Sequence, residues 1–144
     1  MEGPNAQLEN DPHQIQSVLR LGIDVEVDVW YLHHQWYLGH DAATHNISFE
    51  FLKQDGLWIH AKNFEAADRL IQLSRFGHSH NFFWHEEDER TLTSFGFWWT
   101  YPQRALGTNS VAVVPERYLP LNEFDQIRNW NCFGVCTDWV SLLK

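Results

Sequence analysis

The stretch Ile23-Asp24-Val25-Glu26-Val27-Asp28-Val29 alternates apolar and acidic residues. An extended strand sends successive side chains to opposite faces, so Asp24, Glu26 and Asp28 share one face and the aliphatic residues share the other. On a half-buried strand the acidic face would simply meet water. On a strand covered on both sides, successive carboxylates are costly unless a cation compensates them, and their oxygens suit Mg²⁺ or Ca²⁺. Leu57-Trp58-Ile59-His60-Ala61-Lys62 repeats the pattern, with His60 and Lys62 on the face of Trp58. Between the two segments lies Gly39-His40-Asp41, where the glycine permits a tight turn and Asp41 can orient the His40 imidazole. Taken singly, each has an ordinary reading, His60 as a satisfied core histidine and His40-Asp41 as a surface turn. Taken together, a carboxylate strand that holds a metal, an ammonium beside it and an imidazole that carries a proton are the parts that hold and cleave a phosphodiester.

Three further groups stand near the ends of expected strands. His85 and Asp88 follow Phe82-Phe83-Trp84 and either line the mouth of a site or cap a strand ahead of a solvated acidic turn. Trp98, Trp99 and Tyr101 either pack the core or form an apolar wall for a substrate's alcohol. Glu116, after Val114-Pro115, supports a site from beside it.

The elements that must position these groups alternate in type. Asp11-Pro12 opens a helix reaching Leu21, with Ile15, Val18 and Leu19 at helical spacing, and a strand over 23–30 follows Gly22. A short strand at Trp36–Leu38 and a helical stretch at Ser48–Gln54 lead to a strand over 57–61, and Asn63 then caps a helix over 64–73. Further strands are predicted at 81–85, 96–100, 111–115 and 134–137, with helices near 122–130 and at the C-terminus. Strands alternating with helices predict an α/β fold with parallel strands in one domain spanning 1–144.

Composition narrows the function classes. The 144 residues are 44% hydrophobic and 20% charged, enough apolar surface for a core. Eight Trp and ten Phe exceed what a core of this size hides, which points to an aromatic-lined pocket. A net charge of −9 argues against nucleic acid as a partner. No segment approaches the roughly 18 apolar residues of a spanning helix and no leader pattern opens the chain, so a cytoplasmic protein without a membrane span is the expectation. Cys132 and Cys136 read as reduced thiols.

In order and spacing, Glu26-Val27-Asp28, His40-Asp41 and His60-Ala61-Lys62 resemble the motifs of the glycerophosphodiester phosphodiesterases. Leu8-Glu9-Asn10 is similar to that family's Glu-Asn segment and Gly134-Val135-Cys136-Thr137-Asp138 to its closing strand. The resemblance implies a reduced or incomplete TIM-type (β/α) barrel of the phospholipase-C-like type and metal-dependent hydrolysis of a small phosphodiester. It implies that Glu26, Asp28 and His60 bind Mg²⁺, Mn²⁺ or Ca²⁺, that His40 protonates the leaving oxygen, that Lys62 contacts phosphate, and that Glu9, His85 and Trp99 contact substrate. His60 stands where the family has a glutamate, and a nitrogen ligand turns the preference toward Mn²⁺ or Zn²⁺. The family's opening His-Arg-Gly motif would precede Met1, so the chain as given is expected to turn over weakly. The rival expectation is a non-catalytic module that holds a phosphorylated sugar or polyol against Trp98 and Trp99.

Overall fold

The computed structural model describes residues 3–143. They form two compact units, Ala6–Trp84 and Met1–Asn5 with His85–Lys144, and each is described by itself. No helix among the described residues is long and apolar enough to cross a membrane.

The unit Ala6–Trp84 opens with helix α1 (Pro12–Leu19), started by Asp11, whose carboxylate accepts from the Gln14 amide at 2.8 Å. Its sheet contains β1 (Val25–Leu32), β2 (Gln35–Leu38), β3 (His45–Ile47), β4 (Leu57–Ala61) and β5 (Asn81–Phe83), in the order β3-β2-β1-β4-β5. Strands β1, β4 and β5 run parallel, and β2 and β3 are antiparallel additions at one edge. Helix α2 (Phe64–Arg75) crosses between β4 and β5, capped by Asn63, whose side chain accepts from the Ala66 amide.

One face of this sheet makes the core. Val27, Val29, Leu38, Ile59, Ala61 and Leu70 are all buried to within 1% of complete exclusion from water. Val27, Val29, Ile59 and Ala61 are aliphatic positions of the alternating segments, and Leu70 on the amphipathic face of α2 packs with them in one core. The polar positions of β1 and β4 are thereby committed to the opposite face.

The second unit has its own sheet, β6 (Arg90–Leu92), β7 (Trp98–Thr100), β8 (Ser110–Val113) and β9 (Gly134–Cys136), in that order. Its helical segments, Leu121–Asn129 and Val140–Leu143 among them, are 3-10 helices.

The expected (β/α) barrel is overturned: nine strands are divided between two open mixed sheets of five and four, and only two α-helices are formed among the described residues. A barrel of this type needs about eight parallel strands, each followed by a helix. Here the chain leaves β1 through the two-residue turn His33-His34, with φ of 51° and 65°, and returns antiparallel as β2. Positive φ at both central residues is the geometry of a tight hairpin, so the next element after β1 is a hairpin partner and not a crossover helix.

Candidate functional site

The parallel register of β1 and β4 sets Glu26 beside Trp58 and Asp28 beside His60. Neighbouring residues in register share a face, so the acidic strand and the basic strand present their polar groups to each other. Asp28 is the centre of the result. Its Oδ1 lies 2.9 Å from His60 Nδ1 and 3.2 Å from Lys62 Nζ. Its Oδ2 lies 2.8 Å from His40 Nδ1 and accepts from Asn10 Nδ2 at 3.0 Å. Only 4% of the Asp28 side chain is exposed, so a charge there would be severely destabilising without these donors.

Each partner is held by its own local structure. Lys62 continues the ladder past β4, its amide donating to the Val29 carbonyl at 2.8 Å. The next residue, Asn63, ties β1 to the start of α2 by accepting from the Tyr31 amide and donating to the Tyr31 carbonyl. His60 stacks on Phe83 of β5 at 5.0 Å with the rings 9° from parallel, which fixes its plane. Gly39, at φ +146°, donates its amide to the Asp28 carbonyl and accepts from the Trp30 indole. A Cβ at that position would lie 1.9 Å from the Ala42 carbonyl oxygen, so glycine is required for the turn that delivers His40.

Burial opposes ionisation of Asp28, but the hydrogen bond from His60, the Lys62 ammonium and the hydrogen bond from His40 outweigh it and hold the carboxyl well below the usual carboxylate range. An ionised carboxylate only accepts, so with no cation bound both imidazoles present Nδ1–H to it, and a cation taken at His60 Nδ1 would replace the proton there. His40 is then left with Nε2 on its open side, 4.0 Å from Asp41 and with 55% of the side chain exposed.

Two overlapping groups share Asp28: Glu26, Asp28 and His60, and Glu9, Asp28 and His40, each with ligand atoms within 4.8 Å of one another. His60 Nδ1 is 3.7 Å from Glu26 Oε1, and His40 Nδ1 is 3.6 Å from Glu9 Oε1. Ligands about 2.1 Å from one ion sit roughly 3 Å apart in an octahedral shell, so Glu26, Asp28 and His60 are already close to that spacing. Across the two groups three carboxylates, Glu9, Glu26 and Asp28, stand near one ammonium, Lys62, so the fixed acidic groups outnumber the fixed cation. The donor set therefore fits a divalent ion.

The structure brings six of the eight residues to which the resemblance assigned a role into this cluster: Glu9, Glu26, Asp28, His40, His60 and Lys62. His85 and Trp99 belong to the other unit, where the His85 ring pairs with Tyr101 and Trp99 is buried on β7. Near the ends of β8 and β9, Glu116 accepts from the Thr137 hydroxyl at 2.9 Å and from the Asp138 amide at 3.0 Å. Two details differ from the sequence reading. Asp28, not Asp41, orients His40, because the Asp41 side chain is 99% exposed while Asp28 sits under the ring. Asp24 is drawn away to accept from the Trp58 indole at 2.9 Å.

Asn10 was missed as a structural member of the site. Its Oδ1 accepts from the Asp28 amide at 2.9 Å while its Nδ2 donates to the carboxylate, so one side-chain amide continues the sheet beside Asp28 where β2 has ended. The available signal was its residue type, since asparagine tolerates the left-handed φ of 56° it adopts before the Asp11 cap.

The chain matches no model of a known protein family, no curated protein and no solved structure.

Proposed function

We propose that the Asp28 cluster is a divalent-cation-dependent site for hydrolysing a small phosphodiester. The observation that carries this reading is the division of labour at one buried carboxylate: Oδ1 faces His60 and Lys62, with Glu26 beside His60, and Oδ2 holds the imidazole of His40. In this reading Glu26, Asp28 and His60 hold the cation, Mn²⁺ in preference to Mg²⁺ or Ca²⁺ because one ligand is nitrogen. The bound ion supplies Lewis-acid polarisation of the phosphoryl oxygens. Lys62 binds a phosphoryl oxygen as a compact point charge. The bond from the water oxygen to phosphorus forms as the bond from phosphorus to the leaving alkoxide breaks. His40 in its imidazolium form, with Nδ1–H on Asp28, gives its Nε2 proton to that alkoxide, and the proton released by the water recharges Nε2. Asp28 fixes the His40 tautomer that keeps Nε2 turned outward. Glu9, on the open side of His40, meets the substrate's alcohol.

The test is cation binding by calorimetry together with turnover of bis(4-nitrophenyl) phosphate and glycerophosphodiesters in Mn²⁺, Mg²⁺ and Ca²⁺. Turnover that requires the cation and falls by about 10² to 10⁴-fold in His40→Ala supports the assignment. Saturable diester binding without turnover, unaffected by His40→Ala, would make the site a binding module. Neither cation binding nor turnover refutes both.

A further inference from the structure

We propose that the unit Ala6–Trp84 carries a second ligand site, on the sheet face opposite Asp28, which takes a small aromatic anion through Arg69. The site is separate from the one proposed above and does not depend on that reading.

Strand alternation sets Tyr31 of β1, Trp36 of β2 and Ile47 of β3 in one row, on the face of Val27 and Val29 and away from Asp28. Beyond the edge of α2 the half-buried Tyr31 and the edges of the largely buried Trp36 and Ile47 form the floor of a cleft of about 410 Å³, completed by the half-buried Phe49 and Arg69 and the exposed His34. That volume lies in the usual range for small-molecule sites. The floor is aromatic and ordered: Tyr31 and Trp36 have centroids 4.5 Å apart, and Trp36 and Phe49 lie 6.5 Å apart with planes within 26°. A flat ring can stack on the exposed parts of Tyr31 and Phe49, against the edge of Trp36.

Charge selects the kind of ring. No carboxylate lines this cleft, and Arg69 is the one permanent charge in its wall. Arg69 Nη1 donates to the Gln72 amide oxygen at 3.1 Å, and the Gln72 amide in turn donates to Asp68 at 2.7 Å. The guanidinium is thus held by a neutral group, and among the described residues it has no ion-pair partner, in a chain of net charge −9. A half-buried, fixed and unneutralised guanidinium beside an aromatic floor is suited to a bidentate carboxylate or similar anion on a ring. A neighbouring cleft of about 390 Å³ shares Tyr31, His34 and Arg69, but Glu65 and Asp68 line it and repel an anion. The ligand is therefore confined to the side of Trp36. His34 stands edge-on to Tyr31 at 6.5 Å, held there by the left-handed hairpin turn.

The experiment is a titration of the full chain with benzoate and with benzyl alcohol, a neutral ring of similar size, followed by NMR of the Trp36 indole and Arg69 side-chain N–H groups. Benzoate should shift both sets saturably and bind about tenfold more tightly than benzyl alcohol, the worth of one charge-assisted hydrogen bond. Arg69→Gln should abolish that preference. Arg69→Lys, which keeps the charge and loses the fork, should retain part of it. Arg75→Gln, which removes an exposed cation of the same helix that does not line the cleft, should leave benzoate affinity unchanged. Equal affinity for the two ligands, indifference to Arg69→Gln, or loss of benzoate binding in Arg75→Gln would each overturn the proposal.

Discussion

Replacing Lys62 by Met keeps the unbranched stem and removes only the ammonium 3.2 Å from Asp28 Oδ1. The Lys62 amide bond to Val29 belongs to the backbone and survives the change. Removing one partner of a buried pair commonly costs about 3–5 kcal/mol. Asp28 retains His60, His40 and Asn10 as donors, so a smaller loss of about 2 kcal/mol at pH 7 is expected. The pH dependence separates this electrostatic loss from lost packing. The folded-state pKa of Asp28 is depressed, so its contribution is fully present above the unfolded value of about 3.9 and is lost as pH falls through the folded value. Wild-type protein should lose about 2–3 kcal/mol on this account as pH falls from 5 to 2. Lys62→Met raises the folded value toward 3.9 and should lose less. The gap between the two proteins should therefore close in acid, because a neutral Asp28 gains little from an ammonium. Urea unfolding at a series of pH values measures the gap, and the ¹³C shift of the Asp28 carboxyl measures the titration itself. A gap that stays constant from pH 7 to pH 2, or a carboxyl that titrates identically in both proteins, refutes the reasoning.

Asn10→Ala removes two hydrogen bonds to Asp28 and should cost about 1–3 kcal/mol in urea unfolding; Asn10→Gly, which relieves only the backbone, should recover a minority of it. In Gly39→Ala the new methyl group collides with the Ala42 carbonyl at an unfavourable φ, so a loss of about 3 kcal/mol or more should accompany disappearance of the His40 to Asp28 hydrogen bond from imidazole NMR spectra. Leu70→Ala, at a fully buried position on α2, should cost about 2–5 kcal/mol by the same denaturation assay without altering cation binding.

The local elements were largely legible because their signals are local. Asp11 and Asn63 cap the helices they announce, and the strand at 57–61 coincides with β4. Strands β3 and β6 were missed, since each is three residues long with a single apolar residue at its end, without the adjacent apolar pair that marks the equally short β5, β7 and β9. The polar cluster was legible in membership, because period-two alternation commits Glu26 and Asp28 to one side and His60 to the matching side of its own strand. Its internal wiring was not. Whether Asp28 or Asp41 orients His40 depends on a hairpin that returns Gly39 to the Asp28 carbonyl, and Asn10 reaches Asp28 across 18 residues of chain.

Alternation and capping, read along the chain, determined which residues face the core and which stand opposite it, because side-chain direction follows from backbone geometry one or two residues at a time. Tertiary structure alone decided that the strands form two open sheets rather than a barrel, and that one carboxylate gathers four donors. Both depend on the direction in which the chain returns after β1. That direction is set by two left-handed residues, His33 and His34, whose types do not announce it, and by contacts that exist only once the sheet has formed.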